Sequence, residues 1–247
     1  MSSLYNNFFY QPLFNLLIFL YKTVALEDLG LAIILLTILI RTILYPLFQR
    51  SVRHQAVMQR LQPHIKKIQE EHKQDKEAQG RAMLDLYRTH KINPLSGFLL
   101  LLVQLPILIA LFHIFRDILK PEALTSLYSF VSPPAHINTL FLGFSLIPLE
   151  KASIVVAVIA ALAQYYQARL ALPKSGSNTK DLAPAERIGR QMVFLTPVLT
   201  LIFLVNLPAA IGFYWITTSL FSILQQWIVN RELASKKENN DRLEGIR

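Results

Sequence analysis

The most informative stretch of this chain is LAIILLTILIRTILYPL, residues 31–47. It is an apolar run long enough to enter a bilayer, and it carries one guanidinium, Arg41, near its middle. An arginine at the centre of a membrane helix costs roughly 2.5–3.5 kcal/mol on insertion scales, so such residues usually face protein or water rather than lipid. Arg41 is therefore the first candidate functional residue, with snorkelling of its side chain to an interface as the simpler alternative.

The composition indicates an all-α integral membrane protein. Hydrophobic residues make up 53% of the 247 residues, charged residues make up 17%, and the mean hydropathy is +0.37. Several uncharged runs approach or exceed the roughly 20 residues that a helix needs to cross the hydrocarbon of a bilayer. Because the chain has no cysteine, a disulfide framework, a thiolate nucleophile and a cysteine-ligated metal are excluded.

The uncharged runs predict five transmembrane helices. No residue from 191 to 230 is charged, and one helix of that length would be about twice as long as the hydrocarbon is thick, so a turn is expected at NLPAAIG, residues 206–212. The five predicted spans are residues 29–48, 94–115, 152–172, 191–206 and 209–230.

The remaining apolar segments are too short to cross. Residues 1–27 lack a convincing cleavage site for a removed leader, and their short apolar part predicts an external, interfacial amphipathic helix; a sixth crossing is the alternative. The run Ile137–Leu149 is also short, so we expect residues 116–150 to form a loop with interfacial helical pieces.

Charged segments separate the predicted spans and orient them. Residues 50–93 are rich in charge, and the spacing of their apolar residues predicts a helical hairpin, whose basic surface could also be merely a solvated face. We expect residues 173–190 to form a polar connector and residues 232–247 to form a basic tail. Lys and Arg number 10, 5 and 5 in segments 50–93, 169–190 and 231–247, against four on the other side: Lys22, Arg116, Lys120 and Lys151. The positive-inside rule therefore places the hairpin and the C-terminus in the cytoplasm and the N-terminus outside.

A few polar side chains lie within the predicted spans. Thr37 precedes Arg41 by four residues, so the two share one helix face. Gln104 lies beside Pro106, and Gln164 and Gln167 lie in the third predicted span. These residues either line a hydrophilic space or hold the helices together by interhelical hydrogen bonds, and the sequence pattern leaves both interpretations open.

Four blocks of sequence resemble the YidC membrane-protein insertase family, which includes mitochondrial and chloroplast relatives. The blocks are TILIRTILYPLF (37–48), LQPHIKKIQEEHKQDKE (61–77), LYRTHKINPLSGFLLLLVQLPILIALF (86–112) and LPAAIGFYWITTSLFSILQQW (207–227). The resemblance covers residues 28–231 in the family's order, which marks this region as the insertase core. The chain looks like the short bacterial form, without the large external domain of many Gram-negative members.

The resemblance implies a site. In this family five helices enclose a water-filled groove that is open to the cytoplasm and to lipid and closed on the outer side. Arg41 matches the arginine inside the groove, and Thr37 and Trp215 match positions that meet the substrate. Tyr214 completes the YW pair, and Gln104, Gln164 and Gln167 are looser matches because the glutamines vary in placement.

The resemblance also implies a function. Such a protein inserts nascent membrane proteins into the bacterial cytoplasmic (inner) membrane without ATP hydrolysis, so it is not an enzyme and needs no cofactor or metal. The implied partners are the nascent substrates and the lipid bilayer, with the Sec translocon and the ribosome as further candidates, and no direct nucleic-acid substrate is expected. The alternative is a small secondary transporter that binds an anionic solute at Arg41. Against it, the sequence has no inverted repeat, and every Asp and Glu lies outside the predicted spans.

Overall fold

A computed structural model describes residues 3–93, 96–142, 144–172 and 184–244. Pro94, residues 173–183 of the predicted polar connector and the last three residues of the predicted tail lie outside these ranges. The chain is mostly helical, as the composition predicts. The helices are α1 (Ser3–Tyr5), a π-helical stretch (Asn6–Tyr10), α2 (Gln11–Thr23), α3 (Leu29–Ile43), α4 (Tyr45–Arg60), α5 (Gln62–Glu71), α6 (Lys76–Thr89), α7 (Ser96–Asp117), a 3₁₀ helix (Pro121–Ser126), α8 (Ile154–Leu170), α9 (Pro184–Leu204) and α10 (Ala209–Glu244).

The helix bounds differ from the predicted spans in three places. The first predicted span is broken at Leu44, where α3 ends and α4 begins; Pro46 near the start of α4 has no backbone N–H to bond to the preceding turn. α9 starts at Pro184, before the predicted span at 191. α10 starts at Ala209, as the fifth predicted span does, but it continues past residue 230 into the tail as far as Glu244.

By length and hydropathy, no single helix in the described ranges qualifies as a candidate membrane span. α3 and α4 qualify together as a bent pair, and two shorter apolar helices are present, Ile154–Leu170 and Gln191–Leu204.

The segment between α7 and α8 departs from the expected helical pieces. It contains a 3₁₀ helix and an antiparallel strand pair, β1 (Leu140–Phe141) and β2 (Phe144–Pro148). The pair lies at the N-terminus of α3, where Leu29 N–H donates to the carbonyl of Asn138 at 3.4 Å. Pairing the two short strands satisfies backbone groups that a short apolar segment would otherwise leave unbonded.

The chain divides into two compact units. The first comprises residues 1–44, 101–165 and 194–221, and the second comprises residues 45–100, 166–193 and 222–247.

The N-terminal helix α2 is part of the core of the first unit. Phe14, Leu17, Ile18 and Tyr21 are fully buried. Asn15 joins the helix to the segment after α7: its Nδ2 donates to the Ser126 carbonyl at 3.1 Å, and its Oδ1 accepts from Tyr128 N–H at 2.6 Å. Where this helix lies relative to a membrane surface stays a prediction.

Asp28 joins α3 to the strand pair. It is the N-cap of α3, and its carboxylate accepts from Leu31 N–H at 2.7 Å and from Leu142 N–H at 2.5 Å. Next to it, Gly30 leaves the space that Phe141 fills, because a Cβ on Gly30 would lie 2.4 Å from the Phe141 ring. One carboxylate therefore both starts the helix and fixes the strand pair upon it.

We expect Asp28→Ala to destabilise the first unit by about 2–4 kcal/mol. Loss of an N-cap costs about 0.5–2 kcal/mol, and loss of the hydrogen bond from Leu142 N–H to the charged carboxylate adds about 1.5–3 kcal/mol. Thermal unfolding in detergent, followed by circular dichroism, measures the change. Asp75→Ala is the matched control, because the Asp75 carboxylate caps only its own helix through Glu77 N–H and Ala78 N–H on an exposed surface. Equal losses in the two variants would refute the second role of Asp28.

In the second unit, α5 and α6 form the helical hairpin that the apolar spacing predicts. Only Leu61, Ile65 and Ile92 are buried in its apolar cluster, and α6 has no buried residue. Gln79 Nε2 donates to the Gln69 carbonyl at 3.2 Å and links the two helices. The hairpin thus rests on a small core.

We expect the amides of α6 to exchange with deuterium faster than those of α2. Few buried apolar contacts hold α6 in place, whereas α2 buries four large side chains completely, so local opening of α6 costs less free energy. Hydrogen exchange with mass spectrometry on the protein in nanodiscs tests this. Protection of α6 as strong as that of α2 would contradict a mobile hairpin.

Candidate functional site

Arg41 and Thr37 both lie on the buried face of α3. Arg41 is 5% exposed and Thr37 is 2% exposed. The Thr37 hydroxyl donates to the Ile33 carbonyl at 2.7 Å, one turn earlier in the helix. Because its proton is used in that bond, Thr37 offers neighbouring groups only an acceptor oxygen.

Tyr214 and Gln104 lie close to Arg41. The Arg41 guanidinium interacts electrostatically with the Tyr214 hydroxyl, and Gln104 Nε2 donates a hydrogen bond to the same hydroxyl. Tyr214 is 4% exposed. The Arg41 group, defined as Arg41, Tyr214 and Gln104, therefore brings together polar side chains from α3, α10 and α7.

A second group of polar side chains is centred on Gln164. The Gln164 side-chain oxygen accepts from Trp215 Nε1 at 3.0 Å and from the Thr200 hydroxyl. The Gln164 group, defined as Gln164, Trp215 and Thr200, joins α8, α10 and α9. Since Tyr214 and Trp215 are consecutive in α10, this one helix contributes to both groups.

The Gln164 group forms part of the wall of a cleft. The cleft has a volume of about 440 Å³, and α7 and α9 provide most of its sides. We refer to it as the α7–α9 cleft. Its lining residues are Leu108, Ile109, Phe112, Gln164, Thr196, Leu199, Thr200, Phe203, Leu204, Leu207, Ile211 and Trp215. These lining residues are largely apolar, and none of them is charged.

Six of the seven site residues inferred from the sequence fall in the first unit. Arg41, Tyr214 and Gln104 come together in one group, Trp215 and Gln164 in the other, and Thr37 lies one turn before Arg41. Gln167 falls in the second unit. Their role as substrate contacts stays a prediction.

Thr200 is the polar site residue that sequence reasoning missed. Its only signal is a hydroxyl in an otherwise apolar run, and threonines in such helices commonly bond to their own backbone. Here the Thr200 hydroxyl instead donates to Gln164, 36 residues away in sequence.

Comparisons with known proteins show the family of this chain. The family model described as "60Kd inner membrane protein" matches residues 19–237. The chain belongs to this family. Proteins similar in sequence to this chain include those named membrane protein insertase YidC from three subspecies of Francisella tularensis: novicida, tularensis and holarctica. Each is 34% identical over 202 residues, which cover 82% of this chain and 32% of the relative.

The family assignment confirms the resemblance drawn from the four sequence blocks. The chain spans about a third of the length of the curated relatives that it matches. The matched region contains all of α3 to α9 and most of α10, so both polar groups lie within it.

Proposed function

We propose that this chain inserts integral membrane proteins into the bacterial inner membrane and assists their folding, without ATP hydrolysis. Two observations support this: the family and its relatives named as insertases, and above all a buried arginine grouped with a tyrosine and a glutamine from two other helices. The transporter alternative has no support from the comparisons, since the family's relatives are named as insertases.

In the proposed topology, five spans cross the membrane with the N-terminus outside and the hairpin and C-terminal tail in the cytoplasm. The support is the distribution of Lys and Arg along the sequence. The hydrogen bonds from Ala209 N–H to the Lys151 carbonyl at 2.8 Å and from Ala210 N–H to the Leu149 carbonyl at 3.1 Å fasten the start of α10 to the segment after α7. That fastening would help to keep the outer side closed.

The mechanism begins with the cost of moving a polar tail into hydrocarbon. Unsolvated backbone and charged groups cost several kcal/mol each there, so a hydrophilic space partway into the bilayer lowers the barrier. Arg41 attracts acidic residues of the tail, and Tyr214 and Gln104 supply neutral hydrogen-bonding groups beside it. The substrate's apolar segment then moves sideways into lipid. The free energy gained by burying this segment, about 0.8 kcal/mol per CH₂, drives the step.

Substrates are nascent membrane proteins, and the proposal extends to the Sec translocon and the ribosome as working partners. Arg41, Thr37, Trp215, Gln104, Gln164, Gln167 and Tyr214 are the proposed substrate contacts.

Purified protein in lipid vesicles tests the proposed activity. A small membrane protein with a short acidic tail is synthesised beside the vesicles, and protection of its tail from external protease measures insertion. We expect the tail to be protected more than in protein-free vesicles. We also expect no ATP hydrolysis by the purified protein during insertion. Uptake of labelled anionic solutes by the same vesicles, without tail protection, would instead support the transporter.

A further inference from the structure

The α7–α9 cleft extends beyond the proposed substrate contacts. Gln164 and Trp215 are the two of them that reach its wall, and the rest of its lining has no role in the mechanism at Arg41. On α9 its lining runs from Thr196 to Leu204, which is about 12 Å at 1.5 Å per residue. Several of its side chains are also exposed at the mouth, where Ile109 is 45% exposed, Leu199 43% and Phe203 65%. The cleft is thus continuous with an apolar outer surface.

The chemistry of the lining favours an apolar occupant. Thr200 and Trp215 both donate to the side-chain oxygen of Gln164, so the hydroxyl and indole protons of this group are already used. None of the described residues that line the cleft is charged. An ionic ligand would find no countercharge there, and its desolvation would go uncompensated.

The size of the cleft suits a hydrocarbon chain. Its volume is about 440 Å³, and it is open along one side, where several lining residues are exposed. A flexible hydrocarbon chain can follow its irregular walls.

We propose that the cleft is a lipid site, filled by an acyl chain of a surrounding phospholipid. In a bilayer acyl chains are the solvent at the cleft's mouth, and an empty cleft would forfeit van der Waals contacts along its walls. The chain lies against the Trp215 indole. This site needs only that the protein resides in a bilayer, so its test is independent of insertion activity.

Trp215 is a built-in reporter for the test. The sequence contains two tryptophans, and Trp227 can be removed as Trp227→Phe because it lies on an exposed surface of the second unit, 56% exposed. In this background the protein is reconstituted in vesicles of phosphatidylcholine brominated in the acyl chain, which quenches indole fluorescence on contact. We expect strong quenching of Trp215.

Filling the cleft distinguishes a bound chain from bulk lipid. The pair Leu199→Phe and Leu108→Phe adds volume to the lining, and we expect it to reduce quenching at least about twofold. Ile202→Phe is the matched control, because Ile202 lies on the same helix, is exposed and does not line the cleft; it should leave quenching unchanged. Equal quenching in the filled and control variants, or none in either, would overturn the proposal.

A second measurement uses the protein with its native lining, so the test remains valid even if the filled variant misfolds. A phosphatidylcholine with a diazirine in its acyl chain should label peptides at Leu108 and Leu199 more than the peptide at Ile159, an exposed apolar residue of α8 outside the lining. Uniform labelling of all three would contradict a chain held in the cleft.

Discussion

Arg41→Ala is expected to lower insertion of a substrate with an acidic translocated tail about tenfold, the equivalent of about 1.4 kcal/mol. The reason is the loss of a buried positive charge that lies near Tyr214. Arg41→Lys keeps the charge and should retain much of the activity, whereas Arg41→Glu repels the tail and should lose it. Protease protection of the tail in vesicles measures the effect, with the amount of folded protein checked for each variant.

Substrates provide the internal control for this prediction. A substrate whose translocated tail carries no negative charge should respond less to Arg41→Ala, since its capture does not depend on the guanidinium. If the Arg41→Ala variant inserted acidic-tailed substrates at the wild-type rate, electrostatic capture would be excluded. Hydration of the site would then remain as the mechanism.

Gly212→Ala is expected to destabilise the first unit by about 1–3 kcal/mol, the usual cost of overpacking a core. Gly212 lies where α10 crosses α8, and a Cβ there would come within 2.4 Å of Val156 Cγ1. Val156 is 2% exposed, so it has little room to move. The two helices must separate locally, and each of them carries a member of the Gln164 group. Thermal unfolding in detergent measures the loss.

Two further variants isolate the steric cause. Val156→Ala removes the atom that clashes, so Gly212→Ala should cost less in a Val156→Ala background than alone. Gly80→Ala is the matched control: no atom lies within 4 Å of its added Cβ, and α6 should gain about 0.5–1 kcal/mol from the better helix former. Additive effects of the two core substitutions would show that the contact does not set the helix spacing.

The sequence predicts the structure well where a single residue carries an unusual free-energy cost, such as a charge in an apolar run or a proline in a helix. Arg41 in an apolar run had to be buried among protein groups or reach an interface, and the structure buries it beside Tyr214. The break between α3 and α4 lies near Pro46 for the local reason that proline lacks an N–H.

The features that the sequence did not reveal depend on contacts between distant segments. The strand pair after α7 forms against Asp28, and nothing within residues 137–149 distinguishes it from an interfacial helix. The bond of Thr200 to Gln164 and the cleft beside it likewise arise from the packing of separate helices, which apolar periodicity alone does not specify.

The central claim is that a substrate tail contacts the Arg41 group, and photocrosslinking from position 214 tests it most directly. The crosslinker p-benzoylphenylalanine is introduced at position 214, where a benzoyl group takes the place of the tyrosine hydroxyl, and a ribosome-stalled substrate with an acidic tail is presented to the membranes. The same crosslinker at Phe213 is the control, because that neighbouring ring packs against Phe141 with centroids 4.5 Å apart. The account predicts a strong adduct to the tail from position 214 and little from 213. Equal adducts from both positions, or none from 214, would contradict it.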